Sequence, residues 1–106
     1  MKTYKFYADP GHGWLAVKIT ELMELCIITQ ISAYSYMRGG TAYLEEDCDA
    51  ALFFNSYRDK YGVEPKHTYE HTDNRSPIRN YDKYNRNKAV DYALVALNSD
   101  TIQSLT

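Results

Sequence analysis

TYKFYADPGHGWLAVKI, residues 3–19, is the stretch whose reading decides the fold. Apolar and polar positions alternate on both sides of its centre. Tyr4, Phe6 and Ala8 stand against Lys5 and Tyr7; Leu15, Val17 and Ile19 stand against Trp14, Ala16 and Lys18. Successive side chains of a strand point to opposite faces, so period-two alternation predicts two half-buried strands. Pro10, Gly11 and Gly13 interrupt the pattern with turn chemistry. A four-residue loop, Pro10–Gly13, then makes a hairpin that pairs Asp9 with Trp14 and Phe6 with Val17. In that register Tyr4, Phe6, Ala8, Leu15, Val17 and Ile19 share the core face, while Tyr7 and Trp14 meet on the other. A slip of one residue would mix the two faces.

A second hairpin is written in SAYSYMRGGTAYLE, residues 32–45. Gly39-Gly40 suits a two-residue turn that needs positive φ. It pairs Tyr36 with Tyr43 and Tyr34 with Glu45, leaving Ala33, Met37, Ala42 and Leu44 on one face and Tyr34, Tyr36 and Tyr43 on the other. Between the hairpins, Thr20 caps a short helix through about Ile28, with Leu22, Met23, Cys26 and Ile27 on its apolar side. Glu46 or Asp47 opens a second helix whose apolar side is Ala50, Phe53, Phe54, Tyr57 and Tyr61, with Gly62 placed to end it. Pro65 introduces an extended stretch, Lys66–Thr72. Residues 73–76 form a turn, and Pro77–Tyr84 is irregular or a short edge strand. Asn85 or Asn87 caps a last helix, Lys88 to about Asn98, with Val90, Ala93, Leu94 and Leu97 inward. Residues 99–106 read as a frayed tail. The order β-β-α-β-β-α-β-α predicts one small α+β domain over residues 1–106, an antiparallel or mixed sheet with helices packed mainly on one face.

The chain's 106 residues suffice for one core and not for two. Eleven tyrosines against three phenylalanines and one tryptophan favour half-buried surfaces and interfaces, because tyrosine joins apolar area to a polar tip. The net charge of −2 is unevenly spread. Lys2, Lys5 and Lys18 outnumber Asp9 at the start. Residues 21–64 carry eight acids against Arg38, Arg58 and Lys60. An acidic middle points to a basic or protein partner rather than to nucleic acid. Met1-Lys2-Thr3 leads straight into a strand pattern instead of a secretory leader, and no apolar run approaches a membrane span. A cytoplasmic protein is therefore expected, with Cys26 and Cys48 as buried free thiols in helices rather than a disulfide.

Five groups of residues suggest chemistry. DPGHG resembles the opening of the zinc site of N-acetylmuramoyl-L-alanine amidases, where the histidine binds metal. That site needs a buried parallel strand before the histidine, a glutamate and second histidine far downstream, and a larger domain, so a turn with His12 exposed is the expectation. His67 and His71 are four apart; in a strand that is about 13 Å, too far to share one ion. Glu45, Glu46, Asp47 and Asp49 could hold a divalent cation, but a strand end running into a helix N-terminus accounts for them, since the helix dipole favours acids there. Cys48, beside these carboxylates, is a poor nucleophile candidate. Arg75, Arg79, Lys83, Arg86 and Lys88 alternate with Tyr81 and Tyr84 in a pattern that can bind single strands, opposed by Asp73 and Asp82; pairing of Arg79 with the Glu45–Asp49 cluster is the structural alternative. No catalytic residue, cofactor or metal ligand is assigned.

The stretches DPGHGWLAV, ISAYSYMRGGTAYLEEDCDAALF and RSPIRNY, in that order, resemble small proteins of bacteriophages and other mobile elements. The resemblance covers roughly residues 4–84. It implies a small, non-structural phage-type accessory protein in the cytoplasm of the bacterial host cell, of a kind that binds and inhibits or redirects a host protein, including defence proteins. The expected contact surface is the aromatic face of the two hairpins: Tyr7, Trp14, Tyr34, Tyr36 and Tyr43, with His12, Glu45 and Glu46 at the rim. That face needs a cover, and the last helix, a target protein or a second copy in a homodimer are the candidates. The alternatives are a small metal-dependent hydrolase or nuclease using His12 and the acidic cluster, and a nucleic-acid binder through residues 75–88.

Overall fold

The computed structural model describes the backbone of residues 2–105 and the side chains of residues 2–98; the frayed tail expected at 99–106 falls outside the described side chains. The elements are β1 (Thr3–Ala8), β2 (Gly13–Lys18), α1 (Ile19–Glu24), β3 (Tyr36–Arg38), β4 (Thr41–Glu45), α2 (Asp49–Tyr61), β5 (Lys66–His71), a 3-10 turn (Pro77–Asn80), β6 (Asp82–Lys83) and α3 (Arg86–Leu105). Six strands make one mixed sheet in the order β5-β1-β2-β4-β3-β6. Every neighbouring pair is antiparallel except β1 with β5, which are parallel. The fold is α+β, as the alternation predicts.

The first hairpin forms with a register shifted by two residues. Tyr7 pairs with Trp14 and Phe6 with Leu15, so the loop is Asp9–His12. The Asp9 N–H closes it by donating to the His12 carbonyl at 2.9 Å. A two-residue shift preserves parity, so each face holds the residues expected of it. The second hairpin pairs Tyr36 with Tyr43 as predicted, and Gly39 takes the left-handed turn conformation, φ +58°. Tyr34 lies outside β3, however. Trp14 is the residue that pairs with Glu45.

The core lies between one sheet face and all three helices. Tyr4, Leu15, Val17, Met37, Ala42 and Leu44 meet Ile19 and Leu22 of α1, Ala50, Phe53 and Tyr57 of α2, and Ala89 and Ala93 of α3. Asn85 is the cap of α3, its side chain accepting from the Lys88 N–H at 3.0 Å. The helix is longer than expected, and its inner side is shifted so that Leu94 is half exposed. It lies against α1 on the helix side of the sheet and does not cover the aromatic face.

Helix α1 ends earlier than its periodicity suggests. The Ile27 N–H bonds to the Leu22 carbonyl and the Cys26 N–H to the Met23 carbonyl, both at 3.0 Å. This is a Schellman closure with Cys26 at its left-handed position, φ 60°. It turns Ile27 and Ile28 into the core and leaves Cys26 outside. Helix α2 begins only at Asp49, with Cys48 in the cap position. Both cysteines are consequently exposed free thiols, contrary to the buried pair expected. Gly62 ends α2 at φ +74° as foreseen. Among the described residues no helix is long and apolar enough to cross a membrane.

Strands β5 and β6 occupy opposite edges, so the chain between them must cross the sheet. Five strand spacings make about 24 Å, within reach of residues 72–81 even with four of them in the 3-10 turn Pro77–Asn80. This strap runs over the aromatic face. The Arg79 guanidinium lies 5.6 Å from the centre of the Trp14 ring, and the Tyr81 ring lies 5.1 Å from Tyr43 and 4.9 Å from the Arg38 guanidinium.

Candidate functional site

Asp9 is the hub of the DPGHGW loop. Its side chain is fully buried and accepts from the Gly11 and His12 N–H groups at 3.0 Å each, as an aspartate before a turn can. It also accepts from the Ser76 N–H at 3.0 Å and from Arg79 Nε and Nη2 at 2.6 and 2.8 Å. The Arg79 guanidinium, helped by these backbone donors, holds the Asp9 carboxyl far below the usual carboxylate range. Arg79 therefore pairs with Asp9 and not with the Glu45–Asp49 cluster. The two residues clamp the strap to the first hairpin.

Clamped in this way, the strap divides the aromatic face into two cavities. The first, about 450 Å³, is lined by His12, Trp14, Tyr34, Tyr36, Glu45 and Asp47, with Ala33, Cys48, Arg79 and Lys83 around them. The second, about 300 Å³, contains Tyr7 and Tyr43 together with Tyr81 and Ile78. Burial and the neighbouring Tyr81 push the Tyr43 hydroxyl pKa up. Five of the eight residues expected to form one surface thus line one cleft, two line the other, and Glu46 lines neither.

Trp14 is a pillar of the cleft rather than its contact surface. It is 2% exposed. Tyr36 packs edge-on at 6.2 Å from one side and His12 at 6.0 Å from another. The exposed aromatic is Tyr34, at 76%. It projects from a loop held at both ends by one buried carboxylate, Asp49. Asp49 accepts from the Ser32 N–H at 3.1 Å and the Ser32 hydroxyl at 2.7 Å, and from the Ser35 hydroxyl. Ser35 in turn accepts from the Glu45 N–H at 2.9 Å, and its carbonyl takes the Tyr84 N–H at 2.9 Å. The tip of the loop is therefore fixed while its side chain stands free.

The acidic run divides by burial. Asp49 is structural, Glu45 is half-buried in the cleft wall, and Glu46 and Asp47 are exposed in the turn before α2. Cys48 sits among them, and the Asp49 carboxylate, with some desolvation and Glu45, pushes its thiol pKa up, away from nucleophilic duty. His12 lies in the hairpin loop that joins β1 to its antiparallel neighbour β2, although β1 is also parallel to β5 on its other side. His67 and His71 share a face of β5 four positions apart; His67 packs 5.7 Å from Phe54, and His71 Nε2 meets Asp73 at 3.2 Å. Among the described residues no three His, Cys, Asp or Glu side chains converge as a metal set.

Sequence reasoning missed Asp9 as a member of this region, and it placed Asp47 in a candidate cation cluster and Lys83 in a candidate nucleic-acid segment rather than in one cleft with Tyr34 and Tyr36. Asp9 carried a local signal in its position before Pro-Gly, but its partner lies 70 residues away. No family model, no curated protein and no solved structure matches the chain.

Proposed function

We propose that this is a small phage-type accessory protein that acts by binding a bacterial host protein in the host cytoplasm, and that the cleft of Tyr34, Tyr36, His12, Glu45 and Asp47 is its contact site. The observation that carries this reading is the presentation of Tyr34. A tyrosine 76% exposed, on a loop pinned at both ends by buried Asp49, beside a concave aromatic surface, costs little side-chain entropy when it docks. Tyrosine loses only two side-chain torsions on docking, and aromatic anchors dominate binding energy at protein interfaces. The resemblance of three stretches of the chain to phage and mobile-element proteins supports the choice of a host partner. The expected homodimer through the whole aromatic face finds less support, because the strap occupies the middle of that face.

The test is affinity capture from a bacterial host lysate with the wild type and with Tyr34→Ala. Tyr34 has no packing role, so the variant keeps its circular-dichroism spectrum and melting temperature. A stoichiometric host protein retained by the wild type and lost with Tyr34→Ala supports the reading. Capture that survives the substitution removes the cleft from the interface; no capture at all removes the function.

A further inference from the structure

The electrostatics of the cleft select among possible partners. Glu45 and Asp47 stand in its wall, and buried Asp49 lies directly behind them. On the opposite side, the charge of Arg79 is matched by Asp9, which holds it through two bonds. Lys83 alone among the lining residues is a cation without a hydrogen-bond or ion-pair partner among the described residues. The balance is negative, and the same carboxylates, Asp49 foremost, push the Cys48 thiol pKa up.

The wall is also aromatic, with Tyr34, Tyr36, His12 and the edge of Trp14. Ring faces attract cations, and a planar guanidinium adds stacking to that attraction. The protein already uses this pairing twice on the same sheet face, with Arg79 over Trp14 at 5.6 Å and Arg38 over Tyr81 at 4.9 Å. The cavity's 450 Å³ is ample for one long side chain and its flanking backbone.

We infer that the cleft seats an arginine side chain of the partner protein, stacked on Tyr34 and Tyr36 and paired with Glu45 and Asp47. This rests on the reading of the cleft as a protein-binding site and names the chemistry it recognises. The guanidinium enters the negative wall, and the aliphatic stem lies along the rings. A partner lysine would keep the charge and lose the stacking; a carboxylate would meet repulsion.

Three blocked tripeptides, with a central arginine, lysine or glutamate, are titrated into the intact protein and followed by nuclear magnetic resonance. The chain has one tryptophan, so the Trp14 indole N–H is a single, unambiguous reporter inside the cleft. The arginine peptide is expected to shift that signal and the amides of residues 33–36 and 45–48 saturably, the lysine peptide more weakly, and the glutamate peptide not at all. Glu45→Gln and Asp47→Asn keep the side-chain shape and the oxygen acceptor while removing charge, and together should weaken arginine binding about tenfold, as lost charge pairing at a half-exposed site implies. Equal or stronger binding of the glutamate peptide, arginine binding indifferent to the double variant, or no shift with any peptide each overturns the inference. Host capture that depends on Tyr34 while the arginine peptide fails to bind refutes the arginine assignment and leaves the protein-binding function standing. Capture indifferent to Tyr34 removes the cleft from the interface and the arginine assignment with it, and no capture at all refutes the function itself.

Discussion

Asp9→Asn should unfasten the strap at a cost that can be worked from the geometry. Asparagine keeps one oxygen, which can still serve the Gly11 and His12 N–H groups. The amide nitrogen then replaces the oxygen that receives the Ser76 N–H and Arg79 Nε, and donor faces donor. An unsatisfied buried N–H costs about 1–3 kcal/mol and a lost charge-assisted bond about 1.5–3 kcal/mol, so the loss should be about 3–5 kcal/mol, the usual range for breaking a buried pair from one side. With a urea slope of about 2 kcal/mol per M, the unfolding midpoint falls by about 1.5–2.5 M. Arg79→Met should cost less, because Asp9 keeps its three backbone donors. A pH series adds an independent check. The folded pKa of Asp9 is depressed, so its contribution is complete above the unfolded value of about 3.9 and declines as pH falls further toward the folded value. The wild type should lose this increment below about pH 4, and Asp9→Asn should lack that part of the acid slope. A midpoint lowered by less than about 0.5 M, or an acid slope identical in the two proteins, would refute the clamp.

Cys26→Gly should raise stability by about 0.5–1 kcal/mol, since glycine adopts the left-handed position without the Cβ penalty and the thiol is exposed; thermal melting checks it, and a lower melting temperature counts against the Schellman closure. Gly40→Ala should destabilise by about 1–3 kcal/mol because the new methyl would overlap the Tyr92 ring of α3, and Tyr92→Ala should suppress much of that loss in a double-mutant cycle; additive losses would show that α3 does not dock there. Burial pushes the Tyr84 hydroxyl, which donates to the Ile28 carbonyl at 2.5 Å, up to about 12, and burial with the Glu21 contact raises Tyr4 further. A raised folded pKa stabilises fully below the unfolded value of about 10 and is lost as pH climbs toward the folded one. Ultraviolet titration should therefore show Tyr4 and Tyr84 ionising only with alkaline unfolding, whereas a single step near pH 10 with the fold intact would contradict their burial.

Much of the architecture was legible because its signals are local. Alternation around DPGHGW separates Tyr7 and Trp14 from Phe6 and Leu15 whatever the loop length, provided the register moves in steps of two. That is why an incorrect pairing still yielded correct faces. Gly39 and Gly62 stand where a left-handed residue is needed, and Asn85 stands where a cap is needed. The boundaries of α1 and α2 were misread for a related reason: Cys26 and Cys48 fit helical periodicity but sit at helix ends, where closure geometry and the Asp49 network decide. The candidate site was half legible. Tyr34, Tyr36, His12 and Glu45 were identified from composition and alternation, yet Trp14 was taken for a contact residue because alternation assigns a face and says nothing of what lies over it.

What the sequence determined by itself, then, is the identity of the strands, their two faces, and the crowding of one face with tyrosine; these follow from side-chain period and turn stereochemistry, which act over a few residues. The tertiary structure alone decided the rest. It set β5 parallel to β1 and β6 at the far edge, obliging residues 72–81 to cross the aromatic face. It also joined Asp9 to Arg79 across 70 positions of chain. A buried carboxylate accepts whichever donors the folded chain brings to it, and that choice is made in three dimensions. In DPGHGW the sequence points to the tryptophan as the contact residue, with the histidine at the rim; the aspartate holds the strap that shapes the cleft.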